Sequence, residues 1–520
     1  MPYLKEHHHS KLLDLVYWGK IVIFALIILD ILPRSFVPYF TAFLAGYVLF
    51  ARTEDATIFF ARSIPFFLAI PFTDEFDQFN AWRIFSILIF LKWALSYKLK
   101  GISSFKNLKH IIYNLKPASY LLIALLFLSV LSIIPAQDKL VAIKRAAYFI
   151  NLSLIGLVIY DLAKNRDYTK RLIKNLSIPV ILVTLIGFAQ VASTYFLDIY
   201  QFMRLWGEGI QCKQFGTQWC NIATWEGNTW FAYYGEQLSL RVFSLFPDSH
   251  TFPMYVLMGL PSIFAMSLYK VVEKSKNLKE MIRIRAKLFV LWIPVILLIT
   301  ILSGTRGVWA ASIGVVILAV ILLFKLPKPQ KSIFKYISLY LIAFFMLFAV
   351  AYPIFVSPQF LVSKGDWGLL GNRIKSIIDF GETSNSQRLE IWAKSWESIK
   401  KHPLIGVGIG NFPVVLGQDI KLAKAGSSAH NLYIHIAAEM GIVAAGLAIW
   451  FLWSVFARNF KLFKEYKDSF FSIYYGASLL FIPWVLIYLL TDAALFDERA
   501  FLMFATITAI ILGTNENGNS

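Results

Sequence analysis

The chain predicts an all-α polytopic integral membrane protein, and three observations carry that prediction. Hydrophobic residues make up 58% of its 520 positions, and the mean hydropathy of +0.62 lies far above that of a soluble domain. Apolar blocks of membrane-spanning length recur from end to end. The net charge of +19 is spread over alternate short loops, as membrane orientation requires, rather than gathered into a face for nucleic acid.

Taken in order, spans are expected near 15–32, 36–50, 57–72, 83–97, 119–135, 143–160, 175–196, 251–270, 288–303, 306–324, 335–356, 432–457, 470–490 and 497–513. The second, third and last are short or polar, so the predicted total is about 12 to 14 in a single membrane domain over 1–520. The first block is followed by Leu32, Pro33 and Arg34 with no small-x-small cleavage site, so it reads as a retained span and not a signal peptide. Basic segments at 98–116, 164–174, 270–287, 325–335 and 458–467 alternate with Asp74, Glu75 and Asp77 and with Asp492, Asp497 and Glu498. Both termini therefore read as cytoplasmic. Lys139, Lys144 and Arg145 depart from this rule at an outer mouth, through a local topology error or through attraction for an anionic headgroup.

Two segments break the rhythm of short loops, 197–250 and 357–431, and both are expected outside the cytoplasm, where long loops carry function. The first holds Trp206, Trp219, Trp225, Trp230, Tyr233 and Tyr234, which suits either interfacial anchoring or a surface on which sugars stack. Its Cys212 and Cys220, the only two cysteines, read as a local disulfide on an oxidising side. In the second loop, apolar residues at helical spacing from Arg388 through Trp392, Trp396 and Ile399 predict an amphipathic helix that ends at His402-Pro403. Gly406, Gly408 and Gly410 follow with no strand before them and no Lys-Ser/Thr after them. A tight turn pressed against another element fits that context better than a nucleotide loop.

His430 stands where the second loop meets a long apolar run. A helix continuous through Gly441 would place that glycine about three turns below His430 on the same face, so that a neighbouring helix packs close beneath the imidazole. Arg241, Arg306 and Arg388 all fall at expected outer mouths, where arginine is disfavoured and needs a reason. Converging near His430, they would make a pocket for a phosphate-bearing lipid headgroup, because guanidinium grips phosphate oxygens bidentately. His435 and Glu439, four apart, read as a structural pair. No two carboxylates have glycosidase-like placement.

Ser427-Ser-Ala-His430-Asn431, nine residues and Gly441, preceded by Pro403 to Phe412, resembles the signature of the O-antigen ligase and polymerase family. Ser303-Gly-Thr-Arg306-Gly and Ser384-Asn-Ser-Gln-Arg388 with Trp392 match places where that family has arginine, and the likeness is close over 240–455. The resemblance implies a helix bundle in the bacterial inner membrane with its site facing the periplasm. It implies transfer of a glycan from an undecaprenyl-diphosphate carrier to an acceptor hydroxyl, with no nucleotide sugar, metal or other cofactor. His430 would take the acceptor's proton or orient it, and Arg306 and Arg388 would stabilise the departing diphosphate. Asn431 would orient the imidazole or the acceptor, and Arg241 would touch substrate. Lipid A core, the growing glycan and a protein hydroxyl all remain open as acceptor, which separates a ligase from a polymerase and from a protein O-oligosaccharyltransferase. Two positions depart from the family pattern, Ala444 after Gly441 and Ser249-His250 near the eighth span. A secondary transporter or lipid flippase is the remote alternative; such proteins set ionisable groups at mid-membrane in repeated halves, and no matched repeat is visible here.

Overall fold

The computed structural model describes residues 2–73, 77, 79–99, 117–217, 219, 229–234, 237–274, 289–361, 383–420 and 427–515. Trp225, Cys220, Asp74, Glu75, most of the basic segments 98–116 and 270–287, and residues 362–382 and 421–426 of the second long loop lie outside the described residues.

Helices dominate: α1 (Pro2–Ile28), α2 (Val37–Phe50), α3 (Thr53–Ser63), α4 (Trp82–Leu99), α5 (Pro117–Leu131), α6 (Lys139–Leu162), α7 (Arg166–Ser193), α8 (Thr251–Lys274) and α9 (Phe289–Leu302). They continue as α10 (Arg306–Lys325), α11 (Lys328–Met346), α12 (Phe348–Val356), α13 (Thr383–Lys401), α14 (Leu432–Met440), α15 (Ile442–Glu465), α16 (Ser469–Tyr488) and α17 (Glu498–Gly513). The protein is an all-α membrane protein. Seven stretches among the described residues are long and apolar enough to cross a membrane, namely α6, α7, Thr251–Tyr269 in α8, α10, α11 with α12, α15 and α16. Two shorter apolar helices, Ala118–Leu131 and Val290–Leu302, accompany them.

Many helix starts are polar for a local reason. Asp138, Asn165, Asp468 and Asp497 accept from the first free backbone N–H groups of α6, α7, α16 and α17, satisfying donors that have no partner within the helix. Three expected spans are interrupted, the 335–356 span only at Leu347 between α11 and α12. The 57–72 span ends as α-helix at Ser63 and passes through a 3₁₀ turn holding Pro65, whose ring leaves no N–H to continue the ladder. The 432–457 span breaks at Gly441 into α14 and α15. The first long loop also carries structure: helical turns from Ile199 to Phe215 and the hairpin β3 (Phe231–Tyr234) with β4 (Gln237–Leu240). A smaller hairpin pairs β1 (Ala69–Ile70) with β2 (Phe79–Asn80). Cys212 is disulfide-bonded, as expected of a chain whose only other cysteine is Cys220.

α8 and α16 form the centre. Their apolar stretches are 94% and 89% buried, against 28–50% for the other five long spans. Around them α7, α9, α10, α15 and α17 pack. Large apolar side chains such as Phe43, Phe50, Phe324, Met346 and Trp453 stay exposed on the periphery. An apolar exterior of this extent is what a hydrocarbon solvent accommodates.

Candidate functional site

The glycine loop and the helix break are one construction. α14 ends at Gly441, which leaves its last carbonyls without intrahelical partners. The loop after α13 supplies them: Val407 N–H donates to the Ala438 carbonyl at 3.0 Å and Gly408 N–H to Glu439 at 2.9 Å, while Ile442 N–H reaches the Pro403 carbonyl at 2.9 Å. Gly441 has φ +91° and Gly406 φ +66°; a Cβ on the first would lie 2.1 Å from the Leu404 oxygen, and on the second 2.3 Å from the Glu439 carbonyl carbon. Only glycine fits either place. Gly408 faces Ala136, and Gly410 faces Val141 and Arg145, so the loop also seals the α5–α6 turn, where the Asn411 side chain accepts from Asp138 N–H at 2.8 Å. The expected tight turn is therefore present. The expected helix running from His430 through Gly441 is not, and Gly441's close neighbour is this loop rather than another helix.

His430 sits just before α14 in a left-handed backbone conformation, φ +46°, which costs a non-glycine residue about 1–3 kcal/mol. Its neighbours hold it there. Trp392 Nε1 donates to the Ala429 carbonyl at 2.8 Å. Asn431 caps α14 by accepting from Tyr433 and Ile434 N–H and ties the turn to Leu490 through its Nδ2 at 2.9 Å, and Leu432 N–H donates to Leu489. The Asn431 amide is thus engaged on both sides by the protein, which makes it the residue that fixes the turn rather than one that reaches the imidazole. Burial lowers the His430 imidazole below its ordinary value; Arg388, His250 and His435 add to this and Asp492 opposes it. The ring is neutral at neutral pH and able to accept a proton.

A second cluster faces it. His250 Nδ1 lies 2.8 Å from Asp492 Oδ2 and 3.1 Å from the Tyr488 hydroxyl, and its Nε2 lies 3.2 Å from Arg241 Nη2. Arginine only donates, so Nε2 is the acceptor and Nδ1 carries the proton toward Asp492. Burial alone would raise the Asp492 carboxyl; its contact with His250, with His430 and Arg388 close by, outweighs burial and holds that carboxyl well below the usual range. Its other oxygen accepts from Ala493 and Ala494 N–H.

The three predicted arginines border this cluster. Arg241 is buried against Gly304. Arg306 opens α10 and is flanked by contacts into the site: the Thr305 hydroxyl donates to the Ser249 carbonyl at 2.7 Å, and Gly307 packs on Tyr488 and Thr491. Arg388 acts electrostatically on both His430 and Asp492. Two imidazoles and the Arg388 charge thus act on one carboxylate at one end of the bundle, with Arg241 against His250 and Arg306 at the start of the adjoining α10. Chain reading missed Asp492, His250 and Tyr488 as members. It used Asp492 only for topology and met His250 only as a departure from a family pattern; the signal available was an acid and a histidine both predicted at outer span ends. Among the described residues no three His, Cys, Asp or Glu side chains gather at metal-ligand spacing.

Residues 289–451 match the family model described as O-Antigen ligase. The chain carries an O-antigen ligase family domain. That O-antigen ligase domain runs from the start of α9 into α15 and contains Arg306, Arg388, the glycine loop, His430, Asn431 and Gly441. Arg241, His250, Tyr488 and Asp492 lie outside the matched stretch and complete its pocket from both sides in sequence. The family consists of glycan ligases and polymerases, and places the chain in polysaccharide biosynthesis at a membrane. No curated protein matches the chain.

Proposed function

We propose that the protein transfers a glycan from an undecaprenyl-diphosphate carrier to an acceptor hydroxyl at the outer leaflet of the bacterial inner membrane, in the manner of an O-antigen ligase. The observation that carries this reading is the neutral His430 imidazole in the field of Arg388 and His250, with Arg241 held against His250. His430 accepts the proton of the acceptor hydroxyl as its oxygen bonds to the anomeric carbon. The bond from that carbon to the diphosphate oxygen breaks, and the diphosphate leaves with the electron pair into the field of Arg306, Arg388 and Arg241. Asp492 and His250 hold Arg241 in place for that task. Because guanidiniums supply the charge, the transfer is expected to run without a divalent ion.

An apolar cavity of about 160 Å³ supports a lipid-borne donor. It begins at Leu432, Leu495 and Phe496 beside the site and continues along α17 to Leu512 and Tyr160 at the opposite end of the bundle. A stretch of prenyl chain suits such a cleft, with the diphosphate at its polar end. The acceptor is a lipid A core, a growing glycan or a protein hydroxyl.

The decisive experiment is transfer by the purified protein from lipid-linked donor to acceptor in vesicles, with chelator present. Transfer that survives chelation and is lost in His430→Ala supports the mechanism; complete loss in chelator that one metal restores overturns it. The orientation is tested by a cysteine placed at the exposed Ser386 in a cysteine-free background. Labelling only after the inner membrane is permeabilised would put the loop on the wrong side.

A further inference from the structure

A second cavity, of about 240 Å³, lies at the same end of the bundle and is lined by Asn80, Tyr148, Phe215, Trp219, Pro247, Phe496, Asp497 and Glu498. Its chemistry is opposite to that of the His430 pocket. Two carboxylates and an amide line it together with four aromatic rings, and among the described residues no cation does. The walls are held rigidly. Glu498 accepts from Asn80 Nδ2 at 2.8 Å and from Trp82 Nε1 at 2.5 Å. Tyr148 donates to the Phe496 carbonyl at 3.0 Å, and the Arg499 guanidinium stacks 4.2 Å over Phe215. Two polar atoms are left over. Asp497 uses Oδ1 to cap α17 while its Oδ2 makes no hydrogen bond among the described residues. Trp219 Nε1 is buried with no hydrogen-bond partner among the described residues, a state that buried donors rarely keep.

Rings that offer an apolar face, beside carboxylates that accept from hydroxyls and an indole N–H that donates to one, match the alternating faces of a pyranose. Among the described lining residues they offer a phosphate no cation to pair with. We propose that this cavity is the binding subsite for a saccharide of the acceptor, an inference that rests on the transferase reading of the neighbouring pocket. Two chain segments join the pockets. Pro247 lines this cavity while His250 faces His430, and Asp492 belongs to the cationic cluster while Asp497 and Glu498 belong here. Phe496 lines both this cavity and the apolar cavity that begins beside the site. In a displacement at an anomeric carbon the incoming hydroxyl and the departing diphosphate occupy opposite sides of that carbon. A cationic pocket for the leaving group and a carboxyl-lined, aromatic one for the nucleophile's sugar meet that requirement.

The test has two arms on the full chain in nanodiscs. In the transfer assay Trp219→Ala is expected to raise the acceptor KM about tenfold while donor KM and kcat stay within about twofold, and Trp219→Phe, which keeps the ring, to give a smaller rise. A rise in donor KM instead, or a fall in kcat alone, overturns the assignment. Saturation-transfer NMR with free glucose, galactose and N-acetylglucosamine as probes needs no turnover. At least one of these sugars is expected to receive saturation that falls about fivefold in Trp219→Ala and in Glu498→Gln and that inorganic diphosphate does not displace. Equal saturation in wild type and both variants, or displacement by diphosphate, sinks the subsite. If no acceptor is ever glycosylated, the transferase reading fails by itself and the NMR arm still decides whether the cavity binds sugar.

Discussion

His430 and His435 stand five positions apart and illustrate two different uses of one side chain. His435 is 5% exposed, stacked on Phe412 at 4.6 Å, and engaged at both nitrogens by Ala429 N–H and Glu439. It belongs to the hinge made by α14, Gly441 and the glycine loop, where His435 and Glu439 are both answered from within the protein. His430 belongs to the facing shelf. Its backbone is strained, its ring is only partly buried, and its surroundings are two clusters of unequal charge. The difference teaches that burial and pairing mark the scaffold, whereas strain maintained by neighbours and an excess of one charge mark the place where a substrate is received.

The largest expected effect separates these two histidines. His430→Ala is expected to lower turnover roughly 10²-fold or more with the protein folded and the lipid-linked donor still bound. His435→Ala is expected to lower thermal stability first, with whatever protein stays folded keeping much of its turnover. Wild-type turnover by a well-folded His430→Ala protein would erase the distinction. Next in size is Arg306→Lys. An ammonium keeps the charge but not the planar fork, so about a tenfold or larger loss in kcat is expected, and near-normal activity would demote Arg306 to a generic surface charge.

The hinge is tested through two glycines that are five positions apart. Gly441→Ala forces a Cβ into the Leu404 carbonyl at a positive φ, whereas Gly446, inside α15, has nothing within 4 Å of its would-be Cβ. The first substitution is expected to cost roughly 2–4 kcal/mol, and the second to be neutral or to stabilise by up to about 1 kcal/mol. Thermal melts in one detergent compare them directly. Equal melting temperatures would remove the steric account of the helix break.

Much of the bundle was legible because apolar length is a one-dimensional signal, and most expected spans coincide with helices. The breaks at Ser63 and at Gly441 depend on a proline in context and on a carbonyl belonging to a distant loop. Hydropathy registers neither. Site residues on the matched stretch were legible through spacing and charge. Asp492 and His250 were not, because their meaning is a 2.8 Å contact across 242 positions of chain (492 minus 250), and no local pattern announces such a pairing. Asn431 was legible as important but not in its manner of acting, since capping and a tether to Leu490 are visible only once α16 is in place.

The smallest expected effect is a displacement of the pH profile, and it tests whether the shelf works as an electrostatic unit. The acid limb of kcat/KM reports the pKa of the free enzyme's base. With His430 held below its ordinary 6.5, activity should persist below that pH and fall as the imidazole protonates. Arg388 lowers the His430 pKa, and Asp492 raises it. Removing the cation in Arg388→Ala makes protonation easier, so the acid limb should move to higher pH. Removing the anion in Asp492→Asn makes protonation harder, so the limb should move to lower pH even though His250 loses its ionised partner and kcat falls. Opposite displacements identify His430 as the titrating group and place both charges in its field. Displacements of the same sign, or an acid limb that neither substitution moves, would mean that another group takes the proton and that the contrast between the two histidines is one of packing alone.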